Sequence, residues 1–293
     1  VIGIAINLSS LYHTWQYQKE SMRGKSELVK KNAANQTSSG LDRDYITQWS
    51  YGIDETLTLL VPDAKGGATV PLSKNATAMA KADPQIQSMI PQLYDAIPQY
   101  FGTQPGTSGP VYVGAFVLFL FILGLFIVRG SMKWALLAAT VLSVLLAWGH
   151  NFMGFTNFFL DYIPMYAKFR TVASILVIAE FTIPLLAALA LKKIVDEPEV
   201  LTKQMKFVYI SLALTAGVAL LIALFPGMME PFVSDQERQM ITSIQGMDGN
   251  TANMILSNIA AMREAMVSAD AWRSVIVILI GFALLFLYKM KKL

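Results

Sequence analysis

Apolar residues in this chain gather in blocks separated by polar stretches. From Val111 to Val128 the sequence reads VYVGAFVLFLFILGLFIV, with no charged residue in it. Comparable blocks run Trp134–Trp148 (WALLAATVLSVLLAW), Thr171–Leu191, Phe207–Phe225 and Ser274–Tyr288. A helix needs about 20 residues to cross a hydrocarbon core of about 30 Å, so each block predicts a transmembrane helix. The second block is short, and it either extends into GHNFMGF or sits where the bilayer thins. Val1 to Leu8 predicts the end of an earlier span. The pattern therefore predicts an all-α fold, a polytopic transmembrane helical bundle with extracytoplasmic, partly helical loops. Its segments are 1–8, the end of a first span; 9–109, an extracytoplasmic loop domain; 110–225, four spans; 226–272, an extracytoplasmic helical loop; and 273–293, a final span with a basic cytoplasmic end.

The polar stretches differ among themselves. Tyr12, Trp15 and Tyr17 suit a membrane interface. After Lys19 a charged helix or extended arm is expected. NQTSSGLDRDYITQWSYGIDETLTLLVPDAKGGATVPL is punctuated by Gly, Pro, Asp and Thr, which predicts loops and short turns. ADPQIQSMIPQLYDAIPQYFG predicts a short amphipathic helix broken by Pro91 and Pro98. In residues 234–273, Ser234 and Asp235 are good helix caps, and apolar positions at helical spacing predict two helices interrupted near GMDGN. Together these loops would form a lid over the outer mouth of the membrane domain.

Charge sets the orientation. RGSMK carries Arg129 and Lys133, KKIVDEPEVLTKQMK carries four lysines, and KMKKL carries three. Alternating spans put all three connections on one side, which the positive-inside rule makes the cytoplasm. Residues 9–109, 149–170 and 226–272 then face outward.

Composition agrees with a membrane class. Of 293 residues, 54% are hydrophobic and only 15% charged, and the mean hydropathy is +0.48. The absence of cysteine excludes disulfides and thiolate metal sites, and two histidines are too few for a metal centre. No metal or cofactor is expected. Phosphate loops, dinucleotide fingerprints, nucleophile elbows and nucleic-acid signatures are missing. The opening VIGIAINLSSLYHTW has no initiator Met and no charged leader, which predicts a piece of a longer chain whose remainder would be a partner.

Within this frame one element stands out, PMYAKFRTVAS at 164–174. Lys168 and Arg170 face outward, against the usual bias. Charge snorkelling to headgroups would account for them at a cytoplasmic end but less well here. The alternative is a phosphate site, because Arg forks suit bidentate phosphate contacts and a helix start offers free N–H groups. Tyr166 joins them as a candidate phosphate-binding residue. His150 and Asp161, on the same side, are candidate acid/base or cavity groups, with interfacial capping as the plainer reading. Glu180 lies inside a span, four residues before Pro184. It is either a proton or cation site or, somewhat favoured, a buried group hydrogen-bonded to a neighbouring helix. Asp42, Asp44, Asp54 and Glu55 add carboxylates without the spacing of a metal loop.

The stretches TSGPVYVGAFVLFLFILGLFIV, KWALLAATVLSVLLAWGHNF and DYIPMYAKFRTVASILVIAEFTIPLLAALAL resemble the YfhO family of bacterial integral membrane proteins, in its Bacteroidetes form. NQTSSGLDRDYITQWSYGIDETLTLLVP resembles the outer loop of that family. The most specific part is Pro164, Tyr166, Lys168, Phe169 and Arg170. The family is similar to membrane glycosyltransferases of the C type, which take a sugar from a polyprenyl-phosphate donor at the outer face. The resemblance implies such an activity in cell-envelope glycan modification, with Lys168 and Arg170 on the donor phosphate and a catalytic acid upstream of Val1. It also implies membrane lipid and a lipid-linked sugar phosphate as partners, in the bacterial cytoplasmic membrane. Glu180 and Pro184 keep a transporter or flippase open, and a non-catalytic structural subunit is the third reading.

Overall fold

A computed structural model describes residues 6–21, 35–37, 41–244 and 247–290. The expectations for the start of the first stub, for the arm over residues 22–34, and for Lys291 and Lys292 lie outside the described residues. The principal helices are α1 (Leu8–Tyr17), α2 (Ala115–Ile127), α3 (Met132–Ala147), α4 (Met153–Tyr162), α5 (Val177–Asp196), α6 (Met205–Leu212), α7 (Val218–Leu224), α8 (Asp235–Thr242) and α9 (Gly249–Lys289). Shorter helical turns join them, and no β-strand occurs among the described residues. The fold is all-α.

Three helical stretches are long and apolar enough to cross a membrane: Val172–Asp196, Met205–Leu224 and Gly249–Lys289. The helices on either side of Trp148 pass that test only as a bent pair, and α2, with 13 residues, is shorter. The blocks read as five similar spans are therefore unequal. Two causes are local. Gly149 takes a left-handed φ of 46° and ends the run of α3, while the Gly114 φ of 97° delays the start of α2 until Ala115. The largest departure is α9. Its 41 residues run unbroken through the point where an outer loop was expected to meet a span. No glycine or proline separates Asn250 from Ser274, so nothing in the backbone stops the helix. At 1.5 Å per residue α9 is about 60 Å long, roughly twice a bilayer core.

The chain forms two compact units: Val1–Gly52, Thr103–Pro105 and Val144–Ile175 in the first, and Ile53–Gly102, Gly106–Ser143 and Leu176–Leu293 in the second. In the second unit α2 packs on α5, and α7 lies along α9. Gly124 lets α2 and α5 approach, since a Cβ there would lie 3.1 Å from Leu186 and 3.2 Å from Ala190. Thr140 and Thr182 share a 2.7 Å hydrogen bond, the kind of polar contact that joins helices where water is absent. α5 continues through Pro184.

The first half of α9 carries a separate apolar core. Leu72, Ile86, Tyr94 and Ile97, from short turns, pack with Ile241 of α8 and with Ile255, Ile259 and Met262 of α9. Arg263 closes this core and is fully buried. It forms a two-pronged ion pair with Glu237 at 2.6 and 2.9 Å and donates to the carbonyls of Phe232 and Pro98. Ser234 and Glu237 form a reciprocal cap at the start of α8.

In the first unit, Leu41, Ile46, Leu160, Ala167 and Val172 form a small core with Tyr45 and Tyr166 against it. Backbone bonds stitch two distant segments there: Leu41 N–H to the Ala167 carbonyl, Thr171 N–H to Ile46 and Ala173 N–H to Trp49. Gly149 is required at its position, because any Cβ would run into Ser50 Oγ and Val172.

Candidate anion site

The element 164–171 is a tight turn bounded by two left-handed residues. Met165 has φ 68° and Thr171 has φ 67°. For a β-branched residue such as Thr171 this is a true outlier, and such conformations persist only where surrounding contacts impose them. The contacts are visible: the Thr171 N–H donates to Ile46, and the Lys168 N–H donates to the carbonyl of Met165. Between the two strained positions, Tyr166–Lys168 forms one helical turn.

The segment Arg43–Ser50, RDYITQWS, organises the residues that the sequence singled out. Arg170 Nη1 donates to the Tyr45 hydroxyl at 2.7 Å, and the guanidinium lies 5.6 Å from the centre of that ring. Arg43 donates to Asp161 at 2.5 Å and to Asn157 at 2.7 Å. His150 rests on the same segment: its backbone N–H donates to Ser50 Oγ at 2.9 Å, and its Nδ1 lies 3.0 Å from the Thr47 carbonyl. A carbonyl only accepts, so Nδ1 carries a proton and donates it to Thr47. Asn151 donates to the Tyr51 carbonyl at 2.9 Å.

These contacts sort the candidates. Arg170 is exposed and, among the described residues, is in no ion pair. Its partner is the neutral phenol of Tyr45, so its charge stays available. Asp161, by contrast, is committed to Arg43. Tyr166 is half-buried, packs on Phe159 with ring centres 5.6 Å apart, and is pushed up to about 12 by burial. Its phenol is therefore protonated and a hydrogen-bond donor, and its ring packs against the small core. Lys168 is half-buried on the same turn. Glu180 belongs to the second unit, on an exposed face of α5, and makes no hydrogen bond among the described residues. The expected buried bond to a neighbouring helix is not there, because the outward turn of α5 carries that side chain away from its packed face.

An apolar skirt adjoins Arg170. Phe169 is 65% exposed and Tyr162 73%, with Phe158, Ile163 and Met165 also exposed. Cations beside uncovered aromatic rings suit the boundary between acyl chains and headgroups.

Tyr45 and Arg43 were not singled out from the sequence. Arg170 and Tyr45 stand 125 residues apart, and nothing in local spacing links them. The signal that was present is the aromatic–basic character of RDYITQW in an otherwise polar loop. The other carboxylates of that loop have separate roles. Asp54 pairs with buried Lys65 at 2.6 Å, and Glu55 is buried and accepts from the Tyr100 hydroxyl at 2.6 Å. No group of three His, Cys, Asp or Glu able to hold a metal occurs among the described residues.

No family model, curated protein or solved structure matches the chain. Three of its helices have the length and composition compatible with a membrane protein.

Proposed function

We propose that this chain is a multi-pass protein of the bacterial cytoplasmic membrane, of the YfhO type, and that it acts at the outer face as a glycosyltransferase-like enzyme on a polyprenyl-phosphate-linked sugar. The observation that carries the reading is Arg170: an exposed guanidinium, held by a neutral hydroxyl on a strained turn and flanked by uncovered aromatic rings. A prenyl-phosphate offers the matching chemistry, an anion joined to an apolar chain. The phosphate would take the fork of Arg170 and the charge of Lys168, and the chain would lie on Phe169, Met165 and Tyr162. Glu180 lacks the buried, cavity-facing setting that a midplane transport site needs, which disfavours the transporter reading.

Binding of a labelled polyprenyl monophosphate to the purified protein in detergent tests this. Arg170→Ala should weaken it by about 10- to 100-fold, as expected for one charged hydrogen-bonded contact. Arg170→Lys should restore only part of the loss, because an ammonium cannot reproduce the fork. Unchanged binding in a well-folded Arg170→Ala, Lys168→Ala double variant overturns the proposal.

A further inference from the structure

A second site stands in the other unit, on the first half of α9. A cleft of about 380 Å³ opens between α9 and the short turns Pro62–Lys65 and Leu72–Lys74. Four charged residues line it. Asp63 comes from the first turn, Lys74 from the second, and Asp270 and Arg273 from α9. Met266 adds an apolar wall.

The four charges are not equivalent. Asp270 is buried and fully engaged: one carboxylate oxygen is 2.5 Å from Arg273 and the other accepts the Asp63 backbone N–H at 2.7 Å. That pair is neutral together. The remaining two are uncommitted. The Asp63 carboxyl accepts no hydrogen bond, and Lys74 is exposed in no ion pair, among the described residues. The cleft therefore presents one spare anion and one spare cation, and the two do not meet each other. Asp63 is half-buried and its carboxyl accepts no donor from the described residues, so a ligand that brings one adds a hydrogen bond there.

We propose that this cleft binds a small zwitterion, whose ammonium is held by Asp63 and whose carboxylate or phosphate is held by Lys74. An anion alone would meet Asp63 and Asp270, and a cation alone would meet Lys74 and Arg273, so a ligand with both charges is the complementary one. The volume suits an amino acid or a phosphoethanolamine group. Two sources present that chemistry, a free solute or the headgroup of phosphatidylethanolamine. The site is independent of Arg170.

Burial, then the charge of Asp270, push the Asp63 carboxyl up to about 6, with Arg273 opposing them. The groups facing Asp63 are Lys74 from its turn and Asp270 and Arg273 from α9. Binding of the ammonium should therefore fall as pH drops through about 6.

Calorimetric titration of the full chain in detergent, at pH 7.5, tests the proposal with O-phosphoethanolamine and glycine as probes, against ethanolamine alone and inorganic phosphate alone. Saturable binding of at least one zwitterion is expected, at least about 10-fold weaker in Asp63→Asn and in Lys74→Ala. Lys74 is exposed, so its variant keeps the fold and remains informative if Asp63→Asn is perturbed. If phosphatidylethanolamine also co-purifies with the wild type and is lost from both variants, the headgroup is the source; if glycine binds without it, the source is a free solute. No saturable binding of either zwitterion, glycine binding that survives both substitutions, or equal binding of ethanolamine or phosphate alone that both substitutions abolish, overturns the proposal.

Discussion

Two carboxylates in this chain are shifted in opposite directions, and the difference lies in what their neighbours donate. Burial pushes Glu237 up, but the hydrogen bonds and charge of Arg263, with Ser234, outweigh it and leave its pKa below the usual range. Asp63 receives no such donors and rises to about 6. The signs for stability follow. Glu237 contributes stability above its unfolded pKa, and that contribution is lost as pH falls through its lower folded value. Asp63, with its folded pKa raised, is most favourable to the fold at low pH, and this advantage is lost as pH rises through about 6. Thermal melts at several pH values should show Asp63→Asn more stable than wild type at pH 7.5 and equal to it near pH 4; a constant offset across pH would contradict the assignment. Glu237→Gln should cost about 3–5 kcal/mol, because it strands the buried guanidinium. Arg263→Met with Glu237→Leu should cost distinctly less, since no buried charge remains. A double variant as unstable as the single one would contradict this account. Neither carboxylate was legible as special in the sequence. Asp63 and Asp270 are 207 residues apart and Glu237 and Arg263 are 26 apart, and only the fold brings their charges together.

At the level of elements, the apolar blocks located the helices, because a long run without charge has few other places to go. They did not set helix lengths. Where a block ends depends on backbone geometry, as with Gly114 and Gly149, and whether a polar helix merges with an apolar one depends on the absence of a breaker, as in α9. The capping residues were more informative. Of Ser234 and Asp235, read as caps, Ser234 accepts a backbone N–H at the start of α8 and Asp235 is its first residue; Asp248, which was not read as a cap, does the same for α9. Close helix approach is a further element property hidden from periodicity. Gly124 sits against Leu186 and Ala190 because a larger side chain would force α2 off α5. Gly124→Val should cost about 1–3 kcal/mol through overpacking, read as a lowered melting temperature in detergent; a neutral result would mean that the α2–α5 contact yields easily.

For the molecule as a whole, the distribution of charge makes the strongest statement, and it is one the helices alone cannot make. Three apolar helices are compatible with the membrane class but carry no information on which side of the membrane each loop occupies. The basic connections at Arg129–Lys133 and Lys192–Lys206 argue for one side, and the loops holding Tyr45, Asp63 and Arg170 for the other. The proposed phosphate site depends on this assignment, since it is meant to meet its ligand at the outer face. The chain contains no cysteine, so single cysteines can report sidedness without a background. Ser131→Cys and Thr202→Cys place a thiol in exposed positions of the basic connections, and Ser88→Cys places one on the exposed surface of the short helix Pro84–Met89. In intact cells with the outer membrane permeabilised, a maleimide that cannot cross the inner membrane should label Ser88→Cys and spare the other two, and lysis should make all three reactive. Labelling of Ser131→Cys before lysis, with Ser88→Cys protected, would invert the topology. Arg170 and Lys168 would then be ordinary cytoplasmic charges anchored to headgroups, and the outward phosphate site would lose its basis.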